Sequence, residues 1–167
     1  MLSDREETVG DVPETLSVTA TTTAPEASIS EVIRLLKQNP RSRMVYVVDA
    51  KQRLLGTVSW RCVLRVAKAR LGARKPGVVS LVRLLRDLMP ETARDLMRSP
   101  TPVHRETPIR DAFLLMEETK QNDLPIVDDQ GRLVGELNGM HVMDVALRVF
   151  EQTEADLSRA RQAKDSP

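Results

Sequence analysis

Residues 49–56 read Asp-Ala-Lys-Gln-Arg-Leu-Leu-Gly, and residues 128–135 read Asp-Asp-Gln-Gly-Arg-Leu-Val-Gly. Both stretches fit the pattern Asp-x-x-x-Arg-Leu-aliphatic-Gly, and they lie 79 residues apart. The residues before each stretch also agree at this offset, since Val45, Val47 and Val48 align with Leu124, Ile126 and Val127. A duplication of this extent predicts two copies of one structural unit within the chain.

A helix is predicted upstream of each copy. Apolar residues there recur at i, i+3, i+4 and i+7, which places them on one face of a helix. The first helix is preceded by Ser28, with Glu31 three residues later, which is the capping-box pattern. The second is preceded by Thr107 as the expected cap, with Pro108 at the first helical position. The two apolar sets, at an offset of 80, are Ile29, Val32, Ile33, Leu36 and Ile109, Ala112, Phe113, Met116.

Each unit is predicted to run strand, helix, strand, strand, helix. The runs rich in β-branched residues indicate strands, and the 3.6-residue periodicity that follows them indicates helices. In the first unit the three strands are 17–22, 44–48 and 54–59, and the closing helix is 60–71. In the second unit they are 101–104, 124–127 and 133–137, with a closing helix at 139–150.

The predicted domain organisation is a first repeat at 10–71, a helical linker at 72–92, a second repeat at 93–150 and a polar tail at 151–167. Residues 61–86 contain eight basic residues. Two predicted helices fall in this stretch, and one of them lies in the linker. Such a segment suits either a polyanion-binding surface or a solvated helix face opposite a buried stripe. We favour the solvated face, and we expect no nucleic-acid partner.

Composition excludes several classes of function. The chain is 41% hydrophobic, which suffices for a packed core, while a net charge of +1 and 2% aromatic residues do not favour nucleic-acid binding. No apolar run is long enough to span a bilayer. Cys62 is the only cysteine and the histidines are two, so we expect no internal disulfide and no metal site. These features favour a cytoplasmic protein without membrane insertion.

The repeats resemble the cystathionine-β-synthase (CBS) domain, and two in tandem resemble a Bateman module. The segments that carry the resemblance are 93–97 leading into 101–103, then 124–128, then 131–135. The resemblance implies an α/β (α+β) fold in which two β-α-β-β-α repeats pack about a pseudo-two-fold axis, with an inserted helical linker. It also implies that two such modules pair into a flat homodimer.

The resemblance implies binding of adenosine-containing ligands, namely AMP, ADP, ATP or S-adenosylmethionine, in clefts between the repeats. Nucleotide-binding members carry Gly-x-x-Thr/Ser-x-x-Asp at the last strand and the following helix. Here Gly56 and Ser59 fit in the first repeat, but Cys62 replaces the aspartate. In the second repeat Asn138 replaces the hydroxyl residue and His141 replaces the aspartate.

Losing that carboxylate removes a charge-assisted hydrogen bond to ribose, which weakens binding by about 1.5–3 kcal/mol. Arg61, at the start of the first repeat's closing helix, is a candidate for binding phosphate. The candidate adenine-side residues are Val45, Tyr46, Thr101, Val103, Leu124 and Pro125. The alternative is that the glycines permit close packing and that Ser59 and Asn138 are helix caps.

Two functions therefore stay open. One is a regulatory module that senses an adenosine-containing ligand and transmits its occupancy to a partner enzyme or transporter. The other is a structural or dimerisation module whose ligand sites have decayed. Catalysis is not expected, because Cys62 beside Arg61 has no triad spacing with His104 or His141.

Overall fold

The two repeats share a common central order, which is helix, strand, strand and helix. The computed structural model describes residues 7–12, 20–39, 42–72, 82–83, 86, 89 and 91–164. The first repeat contains β1 (Thr22–Thr23), α1 (Ile29–Gln38), β2 (Met44–Val48), β3 (Leu54–Ser59) and α2 (Trp60–Gly72). The second contains the short helix α3 (Ala93–Leu96), then α4 (Ile109–Thr119), β4 (Asp123–Val127), β5 (Leu133–Asn138) and α5 (Gly139–Lys164). This mixed helix and strand content confirms the predicted fold class.

Each repeat is built on an antiparallel strand pair. Strand β2 pairs with β3, and β4 pairs with β5. The register shifts between Val47 and Val48 in one repeat and between Ile126 and Val127 in the other, which are equivalent positions. Strand β1 adds to β2 in parallel, whereas in the second repeat a single parallel bridge joins Val103 to Ile126.

In each hairpin turn, the aspartate of the repeated motif is hydrogen-bonded to residues of the same turn. The Asp49 carboxylate accepts hydrogen bonds from the backbone N–H of Lys51 (2.8 Å) and of Arg53 (2.9 Å), and from Arg53 Nε at 2.7 Å. Asp128 makes the same three kinds of contact, including 2.7 Å to Arg132 Nε. The hydrogen bond from the backbone N–H of Arg53 is the main cause that lowers the pKa of Asp49. The backbone N–H of Arg132 lowers the pKa of Asp128 in the same way.

The two turns contact each other about a pseudo-two-fold axis. The backbone N–H of Leu54 donates to Gly131 O at 2.9 Å, and that of Leu133 donates to Gln52 O at 3.0 Å. These bonds are equivalent, because Leu133 and Gly131 lie 79 residues after Leu54 and Gln52. Two symmetric bonds of this kind confirm the predicted pseudo-two-fold packing.

A short helical segment that precedes one repeat in the sequence packs against the core of the other repeat. This exchange occurs in both directions. Val9 and Val12, both 0% exposed, belong to the core of the second repeat. Ala93 and Leu96, also 0% exposed, belong to the core of the first. Fully burying a valine or leucine side chain contributes about 1.5–3 kcal/mol. The two cores are therefore linked by an exchange of chain segments as well as by the turn contacts.

Backbone hydrogen bonds hold the exchanged segments in place. Val9 N donates to Thr107 O at 2.9 Å, while Ala93 N donates to Ala27 O at 2.8 Å. Each segment begins with a capping box, formed by Thr8 with Asp11 and by Thr92 with Asp95. The same local sequence pattern thus starts both segments, one for each repeat.

Some element boundaries differ from the sequence prediction. Helix α4 is capped by Pro108 rather than Thr107, since the Pro108 carbonyl accepts from Asp111 N while Thr107 Oγ1 accepts from His104 N. The predicted cap at Ser28 is confirmed by a 3.3 Å bond from Glu31 N. Half of the predicted strand 17–22, residues 17–19, lies outside the described residues, and within the described part β1 begins only at Thr22.

The closing helix of the second repeat is longer than predicted. Helix α5 continues to Lys164, through most of the segment predicted as a mildly helical tail. In the predicted linker helix, residues 82, 83 and 86 are helical, and much of the rest lies outside the described residues. Within the described part of the chain, no helix is long and apolar enough to cross a membrane.

Gly56 packs directly against Met97 of the exchanged segment. A Cβ atom at position 56 would lie 2.7 Å from Met97 Sδ and 2.9 Å from Met97 Cβ, which is too close for a real contact. We therefore expect Gly56→Ala to lower the free energy of unfolding by about 1–3 kcal/mol, measured by urea denaturation. Adding Met97→Gly, which removes the whole obstructing side chain, should recover part of this loss, and fully additive losses would show that Met97 is not the obstacle.

Candidate functional site

A cleft of about 740 Å³ opens between the two repeats. One wall is the junction of β3 with α2 in the first repeat, and the opposite wall is the connection between α4 and β4 in the second. Arg98 and Ser99, which follow the exchanged helix α3, complete it. Because both repeats supply side chains, a molecule bound here would contact each of them.

The strand–helix junction brings Ser59, Arg61 and Cys62 into the cleft wall. Cys62 is 3% exposed, and its Sγ accepts a hydrogen bond from Ser59 N at 3.5 Å. Ser59 Oγ lies 3.7 Å from the same sulfur. The thiol therefore closes the start of α2, and Ser59 stays half-buried at the cleft surface.

The equivalent junction in the second repeat uses different side chains for the same contact. Asn138 N donates to His141 Nδ1 at 3.3 Å, as Ser59 N does to Cys62. The Asn138 side chain donates to Asp123 Oδ1 and accepts from Met140 N at 2.8 Å, so it caps α5. Both Asn138 and His141 are thus engaged in holding the junction.

Positive charge predominates along the cleft. The charged residues among its described lining are Arg43, Arg61, Arg98, Lys120, Glu117 and Asp123. Lys120 pairs with Glu117, whereas Arg61 lies over the Trp60 ring, 5.9 Å from its centroid. Arg98 is fixed at the rim because its backbone exchanges two 3.0 Å hydrogen bonds with Thr57. The arrangement suits an anionic ligand.

Beside the cleft, a buried polar cluster joins the two repeats. Glu136 is 1% exposed, and its carboxylate accepts from Tyr46 Oη at 2.7 Å and from Ser42 Oγ at 2.6 Å. Burial is the main cause that raises the pKa of Tyr46, and the Glu136 charge adds to it. Burial, followed by the Glu136 charge, also raises the pKa of Asp123 to about 6.

The structure brings three of the candidate site residues into the cleft and places the others elsewhere. Ser59, Arg61 and Cys62 line it. Among the rest, Gly56 lies under Met97, and Asn138 and His141 hold the α5 junction. Thr101 is half-buried and accepts from Gln121 Nε2 at 3.3 Å. The other candidates are buried in the cores or between the repeats: Val45, Tyr46, Val103, Leu124 and Pro125.

Several residues of this region are not among those predicted from the sequence. Arg43, Arg98 and Asp123 line the cleft because of contacts between repeats, for which no local motif exists. Glu136 did carry a signal, since a charged residue inside an otherwise apolar strand needs a buried partner. Among the described residues, no group of three or more His, Cys, Asp or Glu side chains is placed to hold a metal ion.

Comparison with known families agrees with this architecture. The model of the CBS domain family matches residues 9–69 and 93–148, which together form more than half of the chain. The chain therefore belongs to the CBS domain family, as a tandem pair of CBS domains. This assignment confirms the resemblance recognised in the sequence.

Two curated relatives are chloroplastic CBS domain-containing proteins of Arabidopsis thaliana. CBSX2 is 29% identical over 143 residues, which cover 78% of this chain and 60% of CBSX2. CBSX1 is 30% identical over 138 residues, which cover 75% of this chain and 58% of CBSX1. The chain thus spans about 60% of the length of these relatives. The predicted cytoplasmic location stays a prediction.

Solved structures share the fold. A CBS domain-containing protein from Thermotoga maritima has a TM-score of 0.66 and 26% identity, covering 83% of this chain and 93% of its own. CBSX2 from Arabidopsis thaliana has a TM-score of 0.71 and 28% identity, covering 88% and 99%. CBSX2 in complex with AMP has a TM-score of 0.64 and 28% identity, covering 86% and 98%.

The raised pKa of Asp123 predicts a measurable dependence of stability on pH. Its carboxyl titrates near 6 in the folded protein, against 3.8 for an unperturbed aspartate. The folded state therefore holds this proton more tightly, and stability contributed by the protonated form is lost as pH rises from about 4 to about 6. Asp123→Asn should raise the free energy of unfolding at neutral pH by about 1–3 kcal/mol and flatten this dependence.

Asparagine at position 123 keeps one oxygen that can accept a hydrogen bond, as a protonated aspartate does, so the substitution mimics the uncharged form of Asp123. Asp129→Asn, at an exposed position in the β4–β5 turn, is the matched control and should leave the pH profile unchanged. Thermal unfolding from pH 4 to pH 8 measures both variants. A neutral-pH stability of Asp123→Asn below that of the parent protein would contradict the interpretation.

Proposed function

We propose that the chain is a regulatory module that binds an adenosine-containing ligand in the cleft between its repeats and passes occupancy to a partner protein. The observation that carries the proposal is the cleft itself, in which the β3–α2 junction of one repeat faces the α4–β4 connection of the other. CBSX2, which is 28% identical and shares the fold, was crystallised in complex with AMP. That relative supports an adenosine-containing ligand for this chain.

The charge of the cleft favours phosphate-bearing ligands. Arg43, Arg61 and Arg98 are exposed at its surface, while Glu117 is paired with Lys120. Arginine binds phosphate through several parallel N–H groups. The sulfonium of S-adenosylmethionine carries a positive charge and gains nothing from these side chains. We therefore favour AMP, ADP or ATP over S-adenosylmethionine.

Ribose would be held less firmly than in family members that carry the complete motif. Ser59 offers a hydroxyl at the cleft surface, but Cys62 offers a buried thiol that already accepts from Ser59 N. Without the carboxylate, affinity falls by roughly ten- to hundredfold. Binding would then depend mainly on phosphate contacts and should weaken as salt is added.

A ligand that bridges both repeats can act as a signal because it stabilises one relative arrangement of them. The ligand shifts a conformational equilibrium only as far as its affinities for the two arrangements differ. CBS pairs are typically regulatory modules rather than catalysts, and an enzyme or transporter is the partner class that the family implies. We propose no catalytic role for Cys62, because it is buried and bonded to Ser59.

One observation favours the alternative of a structural module with decayed sites. Cys62 and His141 both accept the backbone N–H that ends the preceding strand, so each has a role that needs no ligand. In the second repeat, Asn138 is also engaged within the fold. The alternative predicts the same stability with and without any nucleotide.

Ligand titration separates the two functions. We expect millimolar ATP, ADP or AMP to raise the melting temperature and S-adenosylmethionine to have a smaller effect. Arg61→Ala and Arg98→Ala should each weaken ATP binding about tenfold by calorimetry, since each removes a charge-assisted contact. Lys51→Ala, an exposed cation in the β2–β3 turn, is the control and should bind normally. No stabilisation by any of the four compounds would favour the structural alternative.

A further inference from the structure

Asp123 is a buried carboxylate in the wall of the inter-repeat cleft. Only 4% of the residue is exposed, yet it is among the residues that line the cleft. Its side chain accepts a hydrogen bond from Asn138 Nδ2 in the second repeat, and the backbone N–H of Arg43 in the first repeat also donates to it. Asp123 therefore lies where the cleft meets the contact between the two repeats.

A second buried carboxylate, that of Glu136, lies next to Asp123. In the register of β4 and β5, Asp123 is opposite Asn138, so Glu136 is on the same face of the sheet two residues away. The Tyr46 and Ser42 hydroxyls donate to Glu136, but neither carries a positive charge. Burial, followed by the charge of Glu136, raises the pKa of Asp123 to about 6, so Asp123 is the group that takes up a proton here.

The other charged groups around Asp123 leave its charge only partly balanced. Arg43, exposed at the cleft surface, attracts the Asp123 carboxylate. Tyr46, from the first repeat, is a phenol whose pKa is raised by burial, so it stays neutral. His141, at the start of α5, contacts Asn138 rather than Asp123. The remaining ionisable residues of the described cleft wall are Arg61, Cys62, Arg98, Glu117 and Lys120.

The two acids of the cleft wall differ in what holds them. Glu117 forms an ion pair with Lys120, and both side chains are largely exposed. Asp123 is buried, and its hydrogen bonds come from an amide side chain and a backbone N–H, which are uncharged donors. A negative charge on Asp123 is therefore the one that a bound anion would meet with little screening by water.

We propose that the cleft binds an anionic ligand together with a proton, and that Asp123 holds the proton. This inference rests on the proposed function, because it assigns a second signal to the same ligand site. Ionised Asp123 repels a phosphate in the cleft, and protonation removes the repulsion. Ligand affinity is therefore highest below about pH 6, where Asp123 is protonated even in the free protein, and it declines as the pH rises. By linkage, a bound anion makes Asp123 hold its proton more tightly.

The position of Asp123 extends this coupling to the arrangement of the repeats. Its hydrogen-bond donors, Arg43 and Asn138, belong to different repeats. Protonation relieves the repulsion between Asp123 and Glu136 at this contact, and an anion in the cleft promotes that protonation. Acidification and ligand binding thus favour the same arrangement, so the module responds to a nucleotide most strongly at mildly acidic pH.

The pH dependence of ATP binding tests the proposal. The terminal phosphate of a nucleotide itself takes up a proton near pH 6, so we compare the full chain with Asp123→Asn, and the titration of ATP cancels in the ratio of their dissociation constants. We expect the variant to bind ATP about tenfold more tightly than the parent at about pH 8 and equally well at about pH 5, by calorimetry. Asp129→Asn, in the exposed β4–β5 turn, is the control and should follow the parent.

The outcomes separate this inference from the proposed function. A ratio of dissociation constants that does not change with pH would overturn the role of Asp123 and leave nucleotide binding intact. An absence of ATP binding by both proteins at every pH would overturn the proposed function and this inference with it. In two buffers of different ionisation enthalpy, ATP binding near pH 7 should take up fewer protons in Asp123→Asn than in the parent, and equal uptake would contradict the proposal.

Glu136→Gln tests what makes Asp123 hold its proton. Tyr46 and Ser42 donate to the same oxygen of Glu136, so the oxygen of glutamine can keep both hydrogen bonds while the charge is lost. We expect the decline of ATP affinity to occur at lower pH in this variant, because Asp123 then ionises more easily. A decline at the same pH as in the parent would show that another group carries the proton and would overturn the proposal.

Discussion

The structure depends on the reciprocal exchange of two short helical segments between the repeats. Val9 and Val12 close the core of the second repeat, while Ala93 and Leu96 close that of the first. Each segment is held by backbone hydrogen bonds to the loop before the helix that it covers. Because neither core is complete without chain from the far side, the two repeats are stabilised together, and the cleft between them has two walls in a fixed relation.

The buried polar cluster at the same interface specifies how the two repeats align, rather than adding to the stability of the folded protein. A carboxylate that is 1% exposed loses most of its hydration, and Glu136 recovers it through the Tyr46 and Ser42 hydroxyls. Only one alignment of the repeats places all three groups together. The neighbouring Asp123 experiences that charge, and the exposed Arg43 offsets it only in part, so this alignment has an electrostatic cost that depends on protonation.

Much of the fold could be predicted because its decisive contacts are local. Asp49 and Asp128 bind N–H groups two and four residues ahead, so the motif alone specifies each turn. The junction residues Ser59, Arg61 and Cys62 reach the cleft for a similar reason, since they follow directly from a strand end. Arg98, Glu136 and the exchanged segments escaped prediction because their partners lie in the other repeat. No spacing within one repeat encodes those contacts.

The exchanged segments also determine how this chain can be divided. A fragment cut at the repeat boundary, between 72 and 91, carries the covering segment that its neighbour needs and lacks its own. Such a fragment exposes the apolar surface on which Val9 or Leu96 would sit, and it is prone to self-association. The two fragments together contain both repeats and both exchanged segments, so mixing them would restore the folded module. An isolated fragment would not form even its own complete core.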